Sequence, residues 1–254
     1  MIYKNTFKDY ILAKGIQVVD KFSSYDTNKT VNEHLLEEQL LLISSFHKIV
    51  KGDTGPIKDR LDSSIGRVVE NYKVGTKKLA RDMKRLKSDN KYGQDLNEFE
   101  KIILSMGNYY IERGEKVIKH VYDNKYYDLI TRSMQNREIC LGSVDFKNIV
   151  LLDNIMVKRI DKCSYNMVEM DCFNLLYKYK KKGYKFDYKK LVSKFCEFEK
   201  LNKNSYEYII ALLSYPYEVI RQCNRYRQEK KGWTEEEYVL RLKKAMEVDK
   251  ESLI

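Results

Sequence analysis

Proline is almost absent: Pro56 and Pro216 are the only two among 254 residues, and glycine is sparse at 11. Both residues punctuate turns, so their scarcity argues against a many-stranded sandwich and for long helices. No uninterrupted apolar stretch opens the chain between Met1 and Asp20, so no secretory leader is expected. The most apolar run, Leu40 to Ile43, is far too short to span a bilayer. No internal repeat or low-complexity segment occurs. The five cysteines, Cys140, Cys163, Cys172, Cys196 and Cys223, are odd in number and none is in CxxC spacing. That pattern excludes a disulfide framework or a zinc ribbon as the natural reading, and reduced thiols in a cytoplasmic setting are expected.

What is present is a globular composition, 43% hydrophobic and 33% charged. The formal net charge of +11 would suit an acidic partner. The lysines are scattered, however: Lys77, Lys78, Lys84 and Lys87 lie among Asp82, Asp89 and Asp95. Lys, Asn, Ile and Tyr, all with AT-rich codons, are abundant together. The densest run, Lys178 to Lys182, reads as the solvated end of a helix before Gly183. The 21 tyrosines suit helix surfaces and interfaces as well as they suit base stacking. Nucleic acid is therefore not the expected partner.

Along the chain, Phe7 to Lys14 reads as a short helix and Ile16 to Phe22 as a β-branched strand. Thr30 and Glu33 fit a capping box that opens a helix with one apolar face, Leu36, Leu40, Ile43 and Phe46. Gly52 to Pro56 ends it. A charged helical pattern covers Lys58 to Leu86, with a turn at Asp89-Asn90, and another helix starts at Asn97 and continues past a break near Asn124. Arg137 to Asp161 changes texture. It holds two short β-like runs, Ile149 to Leu152 and Ile155 to Ile160, with Asp153-Asn154 as two-residue hairpin chemistry. Helices then resume over Glu169–Lys182, Asp187–Leu201, Ser205–Arg227 and Thr234 to Lys250. The last opens with a Thr234/Glu237 capping box and a Trp233/Tyr238 hydrophobic staple.

The segment Cys140 to Val150 resembles the catalytic loop of aminoglycoside phosphotransferases and of the CotS-like spore coat proteins, whose pattern is His-Gly-Asp, four residues, then Asn. Val157 to Tyr165 resembles the metal-binding motif that follows. Phe46-His47-Lys48 resembles the family's Leu-His helix, and Asp171 with Leu175 and Leu176 resembles the Asp-led helix. Tyr215-Pro216, Asn224-Arg225-Tyr226 and Trp233 to Tyr238 resemble the end of the spore coat group. The resemblance spans roughly residues 30 to 250 and implies a mainly α fold: the C-terminal lobe of a protein-kinase-like domain (30–254) around a buried β-hairpin, preceded by a vestigial N-terminal α/β segment (1–29).

In that family the loop Asp acts on the acceptor hydroxyl, and Asn with the next motif's first Asp holds magnesium on the nucleotide phosphates. Here Leu141 stands at the His position, Ser143 at the catalytic Asp and Arg159 at the first metal Asp; Asn148 and the second Asp, Asp161, remain. A serine hydroxyl is no base near neutral pH, and Arg159 puts a cation where a dication belongs. Asp145, three residues before Asn148 where the pattern has five, is out of register as a replacement base. A glycine-rich loop and a strand lysine are missing from residues 1–29, where Gly15 is the only glycine.

The resulting expectation is a protein that is not an enzyme, a pseudokinase-type scaffold with a spore coat or sporulation protein as partner, cytoplasmic or in the spore coat. No metal, cofactor or ATP is expected. Asn148 and Asp161 would be a remnant site, in which Asp161 either holds a cation with Asn148 or caps or braces the hairpin, with bracing favoured. Asp171 would bond backbone near the old catalytic loop, and Trp233 would be structural. His47 would pack or cap rather than catalyse; His34 and His120 would lie on helix surfaces. The alternatives are a small-molecule phosphotransferase completed by a partner chain, which ATP turnover would reveal, and a basic nucleic-acid binder, which salt-dependent retention on DNA would reveal.

Overall fold

The computed structural model describes residues 6–22, 30–52, 61–229 and 231–254. The expected boundary between residues 29 and 30 falls at the edge of a segment, 23–29, outside those described. The chain forms two compact units: Met1–Ile65 with Lys125–Ile209, and Gly66–Asn124 with Ile210–Ile254.

The first unit opens with α1 (Phe7–Ala13), capped by Thr6 and Asp9, and β1 (Gln17–Val18). α2 (Glu33–Val50) follows. Its cap is Asn32, whose side chain accepts from Leu35 N at 2.9 Å, and not the expected Thr30. Asn is among the strongest N-cap residues, and it stands directly before the first helical turn. The unit continues after its interruption with α5 (Tyr126–Asn136), β2 (Ile139–Cys140), β3 (Ile149–Leu151), β4 (Ile155–Val157), β5 (Ser164–Tyr165), α6 (Glu169–Lys181) and α7 (Tyr188–Glu199). β3 and β4 form the antiparallel hairpin, pairing Leu151 with Ile155, so three residues rather than the expected two make its turn. The expected strand over Ile16 to Phe22 shrinks to β1, which pairs in parallel with β4 and so adds a third strand to the hairpin. β2 pairs with β5, a connection no local pattern announced. The core of this unit lies where α2 meets α6 and α7, with Leu36, Leu40, Ile43, Phe46, Leu176, Val192 and Phe195 at 0% exposure.

The second unit holds α3 (Arg67–Lys91) and α4 (Glu98–Asp123) packed against each other, then, after α8 (Lys203–Ser214) brings the chain across, α9 (Tyr217–Gln228) and α10 (Glu235–Val248). The helix expected from Lys58 starts only at Arg67, and it runs through the expected turn at Asp89-Asn90; Lys58 itself lies outside the described residues. The single helix expected over Ser205–Arg227 is broken into α8 and α9, because Pro216 cannot donate to the ladder and serves as the N-cap of α9. Gly107 lets α3 and α4 approach: a Cβ there would lie 2.3 Å from the sulfur of Met83. Tyr72 and Tyr215 stack at 3.6 Å, and the buried Arg113 donates to the carbonyls of Ser214, Asp249 and Glu251.

Candidate functional site

All the marked loop residues lie in the first unit. From β2 the chain enters the loop 141–148 at Leu141 and Gly142. Gly142 has φ +73°, and a Cβ there would meet the carbonyl oxygen of Lys162 at 2.6 Å, so the turn needs glycine. Both loop amides point at Asp171 in the first turn of α6: Leu141 N donates to Oδ2 at 2.7 Å and Gly142 N to Oδ1 at 2.9 Å. Asp171 is fully buried, and its Oδ2 also meets His47 Nε2 at 2.9 Å. The other ring nitrogen of His47 reaches Glu199 at the end of α7, 2.7 Å away. Burial opposes a charge on His47, but the Asp171 and Glu199 carboxylates overcome it and raise the imidazole to about 9. His47 is therefore a buried imidazolium clamped by two carboxylates, consistent with a packed role.

A second buried charge network lies nearby. Arg132 of α5 pairs with Glu138 at 3.0 Å and with Glu169 at 2.8 Å, and donates to Ser205 Oγ at 3.0 Å. Burial again opposes the charge, and the Glu169 and Glu138 carboxylates hold the guanidinium above its ordinary value. A cavity of 390 Å³ opens beside these groups, lined by His47, Arg132, Glu138 and Glu199 together with Lys48 and Lys200. Arg132, Glu138, Glu169 and Glu199 carry no mark in the sequence. Their partners lie up to 152 residues away, and no short-range spacing signals such a pair.

At the outer end of the loop, Asn148 is buried, and every hydrogen bond of its side-chain amide goes to backbone. Its Nδ2 donates to the carbonyls of Ser143 at 2.7 Å and Arg159 at 3.0 Å, and its Oδ1 accepts from Arg159 N at 2.9 Å. Asn148 thus ties the loop to the segment just after β4. The Arg159 side chain is exposed and makes no ion pair among the described residues. Asp161 is 58% exposed, its nearest charged neighbour being Lys162 at 4.0 Å, and it takes no hydrogen bond among the described residues. The bracing foreseen for Asp161 is made by Asn148 instead, and no hydrogen bond joins the two side chains. Asp145 faces Lys178 at 2.5 Å and accepts from Lys147 N. Against a burial that would raise it, the Lys178 ammonium holds the Asp145 carboxyl below its usual range.

The five cysteines are all buried and unpaired, and burial pushes the thiols of Cys140 and Cys172 well up. The Sγ of Cys140 lies with His47 and Asp171 in one buried cluster of possible metal donors, but it donates to Met167 O at 3.1 Å. Trp233 lies in the second unit, where its ring meets Tyr238 edge-on at 5.2 Å, beside the Thr234/Glu237 box. No helix among the described residues is long and apolar enough to cross a membrane.

No protein-family model and no curated protein sequence matches the chain. Solved structures do match it. One is the crystal structure of an aminoglycoside phosphotransferase from Alicyclobacillus acidocaldarius, with a TM-score of 0.64 at 14% identity, over 87% of this chain. The match covers 65% of the length of that solved chain. The fold is therefore mainly helical and similar to that of an aminoglycoside phosphotransferase.

Proposed function

We propose that this chain is a non-catalytic, pseudokinase-type protein of the CotS-like spore coat kind, a structural or interaction component that works through protein contacts. The observation that carries the reading is the state of Asn148: both amide hydrogens and one oxygen lone pair bind backbone within its own hairpin. In the phosphotransferases that the sequence resembles, this position helps to hold magnesium. Here it leaves one neutral lone pair. The donors around it do not fit a magnesium ion, which takes near-octahedral oxygen ligation and is usually anchored by carboxylates. Of the three Asp positions of the motifs only Asp161 keeps a carboxylate, it is exposed beside Lys162, and Arg159 brings a further positive charge to the same segment.

The base is missing as well. Ser143 stands where an Asp would act, and Asp145, the nearest carboxylate along the loop, is engaged by Lys178. A positioned general base contributes about a hundredfold to ten-thousandfold, so its loss alone would leave little phosphotransfer. The spore coat assignment is supported by the C-terminal motif Trp233-Thr234-Glu235-Glu236-Glu237-Tyr238 and by the order of the preceding motifs.

The test is an assay of the full chain with radiolabelled Mg-ATP and aminoglycosides, sugars and casein as acceptors. No transfer above the protein-free control is expected. Transfer that disappears in Asp161→Ala would establish the competing reading, a small-molecule phosphotransferase.

A further inference from the structure

The second unit carries a cluster of guanidinium groups for which the fold has no evident use. Arg221 and Arg225 lie on α9 and Arg241 on α10. Arg221 has an acidic partner, Glu218, at 3.4 Å. Arg225 and Arg241 have none among the described residues. What they share instead is one ring: the Arg241 guanidinium sits 3.9 Å from the Trp233 ring centroid and that of Arg225 5.5 Å from it. Burial and the charge of Arg221, with a smaller push from Arg241, hold Arg225 below the usual arginine value against the pull of Glu218.

The acids at the start of α10 are engaged elsewhere. Glu235 accepts from Glu98 N at 2.7 Å, and Glu237 accepts from Thr234 N at 3.0 Å in the capping box. Two guanidiniums held together by an indole, each a planar fork of N–H donors without an acceptor, match a pair of carboxylates from outside. We propose that Arg225 and Arg241, presented on Trp233, form the docking point for an acidic segment of a partner protein. Charge complementarity chooses this occupant over a nucleic acid. A duplex needs a stripe of cations along its backbone, whereas here two guanidiniums share one ring, a point contact that suits a pair of carboxylates.

This inference names the partner chemistry within the interaction reading and so rests on it, but the two fail separately: phosphotransfer tests that reading, and peptide binding tests this one. Trp233 is the only tryptophan in the chain, so its emission reports on the patch directly. The experiment titrates the full chain with a capped hexaglutamate peptide, following Trp233 emission and, in parallel, the anisotropy of the labelled peptide. The account expects saturable binding that salt weakens. Arg225→Gln and Arg241→Gln should each weaken it about tenfold, the effect of one lost charge-assisted hydrogen bond. The double variant Lys77→Gln/Lys84→Gln, which removes two exposed charges elsewhere in the same unit, should leave it unchanged. If the arginine variants do not fold, the saturable change in Trp233 emission of the unaltered chain decides the matter. An absent response, equal binding by the arginine variants, or a preference for duplex DNA of equal charge would overturn the proposal.

Discussion

The two edges of the loop between β2 and β5 are built in opposite ways. The inner edge is held by charges that are buried and fully paired: Leu141 N and Gly142 N on Asp171, Asp171 on His47, and His47 on Glu199. The outer edge carries Ser143, Arg159 and Asp161, and the last two face solvent with little to hold them. On the proposed reading, groups that give the loop its shape are kept, while Ser143 and Arg159 stand where groups that act on a phosphate would be. A phosphotransferase loop needs both edges, and a scaffold needs only the first.

The largest effect should come from cutting the inner edge. Asp171→Ala leaves two loop amides without an acceptor and the His47 cation with one carboxylate. A broken buried ion pair costs about 3–5 kcal/mol, which urea denaturation would read directly. A loss below about 1 kcal/mol, the level of an exposed ion pair, would mean that the two edges are not so different.

The same edge should respond to pH. His47 is raised from 6.5 to about 9, so its folded form holds a proton that the unfolded chain gives up earlier. Its contribution to stability is fully present below the unfolded value and is lost as pH rises through the folded one. With about 1.4 kcal/mol per pH unit, the loss between near pH 6 and near pH 10 should be about 3 kcal/mol. Denaturation midpoints across that window should fall in the unaltered chain and stay flatter in His47→Gln.

Gly142→Ala tests the hinge between the edges. It forces a left-handed backbone on alanine and a clash with Lys162 O, at a cost of about 1–3 kcal/mol. The smallest effect belongs to the outer edge. Arg159→Asp alters an exposed side chain and should change stability by no more than about 0.5 kcal/mol. A large destabilisation there would show that Arg159 is a structural part of the hairpin and not a replaced ligand.

The difference between the edges also explains what the sequence made legible. The helical periods around Leu36 and Phe46, the helix start at Asn97, the box at Thr234, and the β-branched runs at Ile149 and Ile155 are local signals, and each marks its element. The order of short motifs around the hairpin anticipated the fold, because the loop, its Asn and its Asp-led helix stand at fixed spacing. Three kinds of information were out of reach. Competition between adjacent caps was decided by Asn32 over Thr30, a difference of side-chain geometry. The break at Pro216 was outweighed by the strong apolar pattern around it. The partners of His47 and Arg132 come from distant helices, and charge pairs of that kind leave no periodic trace.

The central claim, that the outer edge has lost its nucleotide chemistry, is tested most directly by thermal denaturation with Mg-ATP. A ligand that binds only the folded state at a hundredfold excess over its dissociation constant adds about 2.7 kcal/mol, a readily visible rise in Tm. The account predicts no rise with millimolar Mg-ATP. A saturable rise that Asp161→Ala abolishes would contradict it.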